Sequence, residues 1–227
     1  MDCKIIEFLG TPGCGKSTLS ELLTKSFLKD GLKVCNLSYE IDRKKNIFRI
    51  FFKQKFILIF IIKYPLLSLY YFNYVKKSNQ NSFKDLVKTL ANLLYILALY
   101  EKIEKTTKYD YIIFDQGLIQ AIWSVLISSN NQKNSLPDKL PLHKINHVLR
   151  IVASDNEILN RLNKRDGIHS RIENLPAFEM LQQIESYERT FDTLIKYFQI
   201  NPIVVHNEKF DQINQNIELL KTCIITQ

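Results

Sequence analysis

Residues 10–18 read GTPGCGKST, which matches the phosphate-binding pattern G-x-x-x-x-G-K-[ST] at every fixed position. Glycines in such a loop let the backbone turn its N–H groups inward, where they form a nest for phosphate oxygens. The pattern places a lysine on the β- and γ-phosphates and a hydroxyl on Mg²⁺, which here are Lys16 and Ser17. The predicted nucleotide-binding residues are Gly10, Thr11, Pro12, Gly13, Cys14, Gly15, Lys16, Ser17 and Thr18.

The segments on either side of this loop follow the strand–loop–helix order that phosphate binding requires. Lys4 to Leu9, KIIEFL, is a short apolar run typical of a buried parallel strand. Apolar residues then recur at helical spacing over residues 19–27, so a helix that begins near Thr18 would point its positive end at the phosphates. A glycine-rich turn without a ligand is the alternative. It is less favoured because strand, loop, lysine, hydroxyl and helix all appear in order.

Length and cysteine content indicate one intracellular domain. The 227 residues suffice for a large α/β domain, and no stretch resembles a linker. Four cysteines are far apart and form no C-x-x-C pair, which favours reduced thiols over a disulfide framework or a zinc site. The first strand begins too early to leave room for a signal peptide. We therefore expect a single domain over residues 1–227 in the cytoplasm, with peripheral contact at the inner membrane surface left open.

Five short apolar runs alternate with helical patterns along the chain. The predicted strands are 4–9, 33–38, 111–114, 147–153 and 202–205. The predicted helices follow the loop, form a pair that meets near Pro65, and cover 82–106, 118–127, 154–165, 176–198 and the residues from about 210 onward. Capping pairs are expected at Ser82 with Asp85 and at Ser154 with Glu157. This order predicts an α/β fold in three layers, with a five-stranded parallel sheet and helices on both faces.

A carboxylate follows the predicted third strand. The run YIIF ends at Phe114, and Asp115 comes next. At the carboxyl end of a parallel strand, such a side chain lies in the crevice where nucleotides bind, and it can hold Mg²⁺ beside Ser17. An ordinary turn residue is the alternative. With the phosphate loop upstream, we favour Ser17 and Asp115 as metal ligands.

Three arginines lie near the predicted end of one helix. Arg161 and Arg165 are four residues apart and share a helix face, and Arg171 follows in a polar segment. Arginine forks match the equatorial oxygens of a phosphoryl group in transfer, and a mobile segment could bring them in when ATP is bound. Spacing alone does not separate this role from a solvated basic helix end.

With these features in place, the chain resembles the thymidylate kinase-like P-loop kinases. The stretch from Arg161 to Arg165, followed by Ser170-Arg171-Ile172-Glu173 and a helix that carries Tyr187, looks like that family's lid and following helix. The resemblance implies a P-loop NTPase fold, a lid at about 163–175, and ATP and Mg²⁺ as cofactors. It also implies a nucleoside or nucleoside monophosphate as the small-molecule acceptor. A homodimer through the long central helix is common among similar kinases and stays open here.

The chain departs from that family on the acceptor side. The family's D-R pair on the central helix aligns with Ala98 and Leu99, and its D-R-[YF] after the third strand aligns with Asp115-Gln116-Gly117. Both departures remove an arginine that would hold an acceptor phosphate. Either Arg43 or Arg49 replaces it, or the acceptor carries no phosphate beforehand.

Glu40 bears on this choice because it follows the second predicted strand. Similar deoxynucleoside kinases carry a glutamate there that accepts the proton of the acceptor hydroxyl. A hydroxyl acceptor benefits from such a base, whereas a phosphate acceptor is already ionised. A surface glutamate in a turn is the alternative. From their predicted position after the third strand, Gln116 and Gln120 could form hydrogen bonds with an uncharged acceptor.

The net charge of +8 is concentrated in one insert at about residues 42–81. Nine basic residues and one acid lie between Asp42 and Lys77, and the rest of the chain holds 22 of each sign. The same insert is rich in large apolar residues. We expect its helices to cap the acceptor site, bury their apolar face on the core and expose their lysines. The alternative is that residues 42–77 lie on an anionic membrane surface. Specific nucleic-acid binding is not expected, since no recognised motif accompanies the charge.

The leading hypothesis from sequence is an ATP- and Mg²⁺-dependent kinase with Lys16, Glu40, Asp115, Arg161, Arg165 and Arg171 as its catalytic residues. A second hypothesis is a non-enzymatic nucleotide switch, and a third is a membrane-surface kinase of a lipid or glycan precursor. GTP is disfavoured as the nucleotide because the sequence has no N-K-x-D-type guanine-reading motif.

Overall fold

The structure is a computed structural model that describes residues 3–37, 46–103, 108–129, 136–164, 175–208 and 212–226. Its strands are β1 Lys4–Leu9, β2 Val34–Asn36, β3 Tyr111–Phe114, β4 His147–Val152 and β5 Ile203–His206. The helices within these ranges are α1 Lys16–Lys29, α2 Asn46–Lys63, α3 Pro65–Lys77, α4 Phe83–Ile103, α5 Leu118–Ile127, α6 Asp155–Asn163, α7 Ala177–Tyr197 and α8 Ile213–Thr226. A short 3-10 turn spans Leu142–Lys144.

The strands form one parallel sheet in the order β2-β3-β1-β4-β5. Successive residues of a strand point to opposite faces. Ile5 and Leu9 of β1 accordingly pack with residues of α4, α5 and α7, whereas Ile6 and Phe8 pack with residues of α1 and α8. Helices cover both faces, so the predicted α/β fold with three layers is confirmed.

The sheet order places the phosphate loop where such folds bind ligands. From β1 the chain first builds β2 and β3 on one side and later β4 and β5 on the other. The direction therefore reverses at β1, and the carboxyl ends of β1 and its neighbours border a crevice at this switch point. Gly10 leaves β1 and Asp115 leaves β3 at this same edge, because their strands pair in parallel with Glu7 opposite Phe114.

Some element boundaries differ from the sequence prediction. Strand β2 begins at Val34 rather than Lys33, whose amide donates to the Asp110 carboxylate at 2.7 Å. Helix α6 ends at Asn163, short of Arg165, which lies outside the described residues.

Only one of the two predicted capping pairs forms. The Ser82 hydroxyl accepts from the Asp85 amide at 3.1 Å, as the capping pattern predicts, and it donates to the Asp85 carboxylate at 2.9 Å. Ser154 occupies the N-cap position of α6, but its hydroxyl makes no capping bond there. The Ser154 amide instead donates to the Glu208 carboxylate at 2.9 Å, and Glu157 pairs with Arg161. Tertiary contacts have replaced the local cap.

The insert helices pack on the core with one face only. Phe56 of α2 meets the Tyr95 ring of α4 edge-on at 6.3 Å, and Phe60 is buried beside it. Lys63 forms an ion pair with Glu101. The helices meet near Pro65, as predicted. As predicted, the insert exposes lysines, namely Lys55, Lys63, Lys76 and Lys77. The apolar residues are only partly buried on the core, since many large ones on α2 and α3 point outward.

Candidate active site

Lys16 lies at the first residue of α1 and folds over the phosphate loop. Its ammonium group donates to the carbonyl oxygens of Gly10 at 2.6 Å and Thr11 at 2.9 Å. The loop thus holds the Lys16 charge within the turn whose amides the sequence pattern assigns to phosphate. If a polyphosphate bound there, its oxygens would replace these two carbonyl oxygens as hydrogen-bond acceptors for the Lys16 ammonium group.

Gly15 has a conformation and a neighbour that exclude a side chain. Its φ is +98°, in the left-handed region that glycine tolerates best. A Cβ atom at this position would also overlap the Asn207 amide group. The loop backbone can therefore adopt this turn and approach the residue that follows β5 only because position 15 is glycine.

Ser17 and Asp115, which are 98 residues apart in sequence, meet beside the loop. The Ser17 hydroxyl donates to Asp115 Oδ2 at 3.0 Å, and Asp115 is 7% exposed. A hydroxyl and one carboxylate are suitable protein ligands for Mg²⁺, which usually takes its other ligands from phosphates and water. The described residues contain no cluster of three or more His, Cys, Asp or Glu side chains that could bind a metal by themselves. The donor set therefore fits a metal that arrives with a nucleotide.

Arg161 contacts the back of the phosphate loop from α6. Its guanidinium donates to the Cys14 carbonyl at 3.2 Å and to the Asn207 carbonyl at 2.8 Å, and its Nε donates to Glu157 at 2.7 Å. These bonds tie α6, the loop and the end of β5 together. The predicted contact of Arg161 with a transferring phosphoryl group stays a prediction.

Several predicted site residues cannot be placed. Glu40, Arg43, Arg165 and Arg171 lie outside the described residues, and so does the side chain of Arg49. The predicted lid, general base and acceptor-side arginines therefore stay predictions from sequence.

Sequence reasoning missed Asn207 and Glu208, which follow β5. The Asn207 side chain is buried and donates to the Cys14 carbonyl at 2.8 Å, while its amide donates to the Val152 carbonyl at 2.8 Å. Hydrogen bonds from Ser154 lower the pKa of the Glu208 carboxyl. A polar residue directly after a strand is the same signal that identified Asp115, so it could have found Asn207.

Glu7 is a second residue that the sequence did not single out. It lies within β1 and is 1% exposed. Its carboxylate accepts from the Tyr100 hydroxyl and the Leu118 amide, and from the Ile119 amide at 3.2 Å. It thus caps the N-terminus of α5 and joins β1 to α4, just behind Asp115. Gly117 is required there, because a Cβ atom would overlap the Glu7 side chain.

Replacing Glu7 with glutamine should alter how stability depends on pH. Burial raises the pKa of the Glu7 carboxyl above its usual 4.5. The folded state therefore binds this proton more strongly than the unfolded state does. The contribution of Glu7 to stability is fully present below the unfolded pKa and is lost as pH rises through the folded pKa.

Glutamine does not titrate. We therefore expect Glu7→Gln to gain stability relative to the wild type as the pH rises from the pKa of Glu7 in the unfolded state through its pKa in the folded state. Urea denaturation at a series of pH values measures the difference in free energy of unfolding. A difference that stays constant with pH would contradict this assignment.

The described side chains that the sequence assigns to the acceptor side carry no charge. Ala98 and Leu99, which align with the family's D-R pair, are buried in the core. Gln116 is exposed, whereas Gln120 is buried and its Oε1 atom has no hydrogen-bond partner among the described residues. A buried carbonyl oxygen of this kind is available to a donor group on a ligand.

Comparison with known proteins shows the fold. No protein-family model matches the chain, and no curated protein matches it significantly. Similar solved structures include a deoxyadenosine kinase from M. mycoides with bound dCTP, at 18% identity and a TM-score of 0.52, which covers 98% of this chain and 100% of that one. A thymidylate kinase from Candida albicans is 16% identical, with a TM-score of 0.54 and coverage of 97% and 92%. A shikimate kinase from Bacteroides thetaiotaomicron is 10% identical, with a TM-score of 0.50 and coverage of 97% and 98%. The chain therefore has the fold of P-loop kinases over nearly its whole length.

Proposed function

We propose that this protein is an ATP- and Mg²⁺-dependent kinase that transfers the γ-phosphate to a small acceptor. The contact between Ser17 and Asp115, at 3.0 Å, carries the proposal. It joins the hydroxyl of a phosphate loop to a carboxylate from a neighbouring strand, and together they would form the protein part of a nucleotide-bound Mg²⁺ site. Loop amides and Lys16 would hold the phosphates, and the metal would neutralise charge on their oxygens.

The acceptor that we propose is a nucleoside or a nucleoside monophosphate. The fold shared with a deoxyadenosine kinase and a thymidylate kinase supports this substrate class. The apolar side chains of Ala98 and Leu99, in place of a charged pair, and the buried Gln120 favour an acceptor without a phosphate of its own. A phosphorylated acceptor would depend on arginines outside the described residues.

An acceptor screen tests the proposal directly. Purified protein would be incubated with γ-labelled ATP, Mg²⁺ and, separately, nucleosides, nucleoside monophosphates, sugars and polyprenols. We expect label in a nucleoside or nucleoside monophosphate product. Saturable ATP binding without transfer to any acceptor would favour a nucleotide switch instead. Transfer to a polyprenol alone would favour a kinase of lipid precursors.

Arg161→Gln and Asn207→Ala should each weaken nucleotide binding by about tenfold. Both side chains donate to the Cys14 carbonyl, so each helps to fix the backbone of the phosphate loop. Because they share this acceptor, the double variant should lose less affinity than the two single losses combined.

Calorimetric titration with ATP and Mg²⁺ measures the affinity of all three variants. Arg189→Gln, at an exposed arginine of α7, is a matched control. If Arg161→Gln lowered kcat without changing affinity, contact with the transferring phosphoryl group would explain the result better.

A further inference from the structure

The corner between α2 and α3 exposes an unusual concentration of large apolar side chains. Leu66 is 82% exposed, Ile62 is 72% exposed and Phe51 is 67% exposed. Leu58, Ile59 and Leu69 are exposed as well. These six residues define the apolar corner. Single exposed apolar residues are normal on soluble proteins, whereas a contiguous group marks a surface that another phase or molecule covers.

The apolar corner is a second face of helices that have already buried a first one. Phe56 and Phe60 of α2 pack toward α4, and Tyr71 and Val75 of α3 are fully buried. Phe51, Leu58 and Ile62 are spaced by seven and four residues, so they lie on one outward stripe of α2. Packing within this chain therefore accounts for the apolar residues on the inner face of the insert. It does not account for those on the outward stripe.

The geometry of the insert matches a shallow apolar wedge. Among the described residues, no single helix is both long and apolar enough to cross a bilayer. Ile50–Lys63 and Pro65–Lys77 meet those criteria only together, and they are bent by 114°. A corner of this kind can enter the boundary between headgroups and acyl chains, as interfacial helices do.

Exposed lysines lie within the outward stripe of α2 and at the end of α3. Lys55 lies on the outward stripe of α2, and Lys76 and Lys77 end α3 at the far side from the bend. Long lysine side chains can place their ammonium groups among headgroups while neighbouring apolar residues lie deeper. Exposed apolar residues and exposed lysines thus occur on the same two helices, which is the combination that an interface with anionic lipid favours.

We propose that the apolar corner and the exposed lysines of the same helices dock on an anionic lipid surface. Charge favours this occupant over a second copy of the chain. Among the described residues, the exposed Lys55, Lys76 and Lys77 accompany the corner. A two-fold dimer through this face would bring these like charges close to their own copies, because a two-fold interface pairs the same patch of both subunits. An anionic bilayer instead complements them. This inference does not depend on the proposed kinase activity.

Vesicle flotation of the full chain tests the proposal. The vesicles contain phosphatidylcholine alone or a mixture of phosphatidylcholine and phosphatidylglycerol. We expect binding to the mixed vesicles that weakens at high ionic strength. Ile62→Ser with Leu66→Ser should lower the partition coefficient by at least about tenfold. Lys76→Gln with Lys77→Gln should remove most of the preference for phosphatidylglycerol.

The control replaces two exposed apolar residues of α8, outside the insert. Leu219 is 52% exposed and Ile225 is 53% exposed, and Leu219→Ser with Ile225→Ser should leave vesicle binding unchanged. Circular dichroism shows whether each variant keeps its fold. Equal binding by the corner variant and the wild type would overturn the proposal, as would failure of the wild type to bind mixed vesicles at low salt. A dimer that Ile62→Ser with Leu66→Ser dissociates, without vesicle binding by the wild type, would assign the face to a second copy.

Discussion

Lys16→Ala should lower the rate of phosphoryl transfer by at least about a thousandfold, which corresponds to about 4 kcal/mol of transition-state stabilisation. Lys16 supplies the cation that the phosphate-loop pattern assigns to the β- and γ-phosphates. In the transition state, negative charge is spread over the oxygens of the transferring phosphoryl group. Removal of the Lys16 cation therefore destabilises the transition state most. The measurement is kcat with the acceptor found in the screen.

The fold of Lys16→Ala should stay intact, because the Lys16 ammonium contacts only groups of the loop itself in the bonds described above. Lys25→Ala is a matched control on the same helix. Lys25 is exposed and pairs with Glu21 on the surface of α1, so its removal should leave kcat unchanged. Undiminished turnover by a folded Lys16→Ala protein would contradict the proposed function.

Asp115→Asn should lower kcat by at least about a hundredfold and raise the Mg²⁺ concentration needed for half-maximal activity. Asparagine keeps the shape of the side chain and an oxygen that can accept from Ser17. It removes the negative charge that favours a divalent cation. Mg²⁺ titrations of the initial rate separate this effect from loss of ATP binding.

Asp138→Asn is the control for Asp115→Asn, since Asp138 is exposed and its amide donates to the Tyr70 hydroxyl of α3. We expect its Mg²⁺ dependence to match that of the wild type. If Asp115→Asn shifted neither kcat nor the Mg²⁺ dependence, Asp115 would be an ordinary residue after a strand. The metal site would then have to be built from other groups.

The parts of this fold that depend on local pattern could be predicted from sequence. The phosphate loop is nine contiguous residues, and its glycines, lysine and hydroxyl each have a local physical role. The apolar runs that end at Leu9 and Phe114 are strands for the same reason, since both faces of a central parallel strand are buried. Asp115 could be predicted because the end of a parallel strand fixes the edge on which it lies.

Contacts between distant segments could not be predicted in the same way. Asn207 reaches the Cys14 carbonyl across 193 residues of sequence, and no local pattern encodes that distance. Glu7 looked like an ordinary residue within an apolar strand, yet its carboxylate is buried and caps α5. Ser154 satisfied the local capping pattern, but Glu208 accepts from its amide. In each case a tertiary partner decides what the side chain does.

The insert shows the limit of composition as a guide. Its charge excess and its apolar content were both visible in the sequence, and they predicted helices packed on the core. Composition did not reveal that Ile62 and Leu66 would lie on the outer surface at the bend. Which side chains of α2 point outward depends on how the helix packs, because α2 already buries its opposite side on α4.

Calorimetric titration of the purified protein with ATP in the presence of Mg²⁺ shows whether the phosphate loop binds a nucleotide. We predict saturable binding of one nucleotide per chain. Gly15→Ala should abolish this binding, because a Cβ atom at position 15 would overlap Asn207 and strain a φ of +98°. The absence of binding heat with ATP and with every other nucleoside triphosphate, from a folded wild-type protein, would contradict nucleotide binding by the phosphate loop.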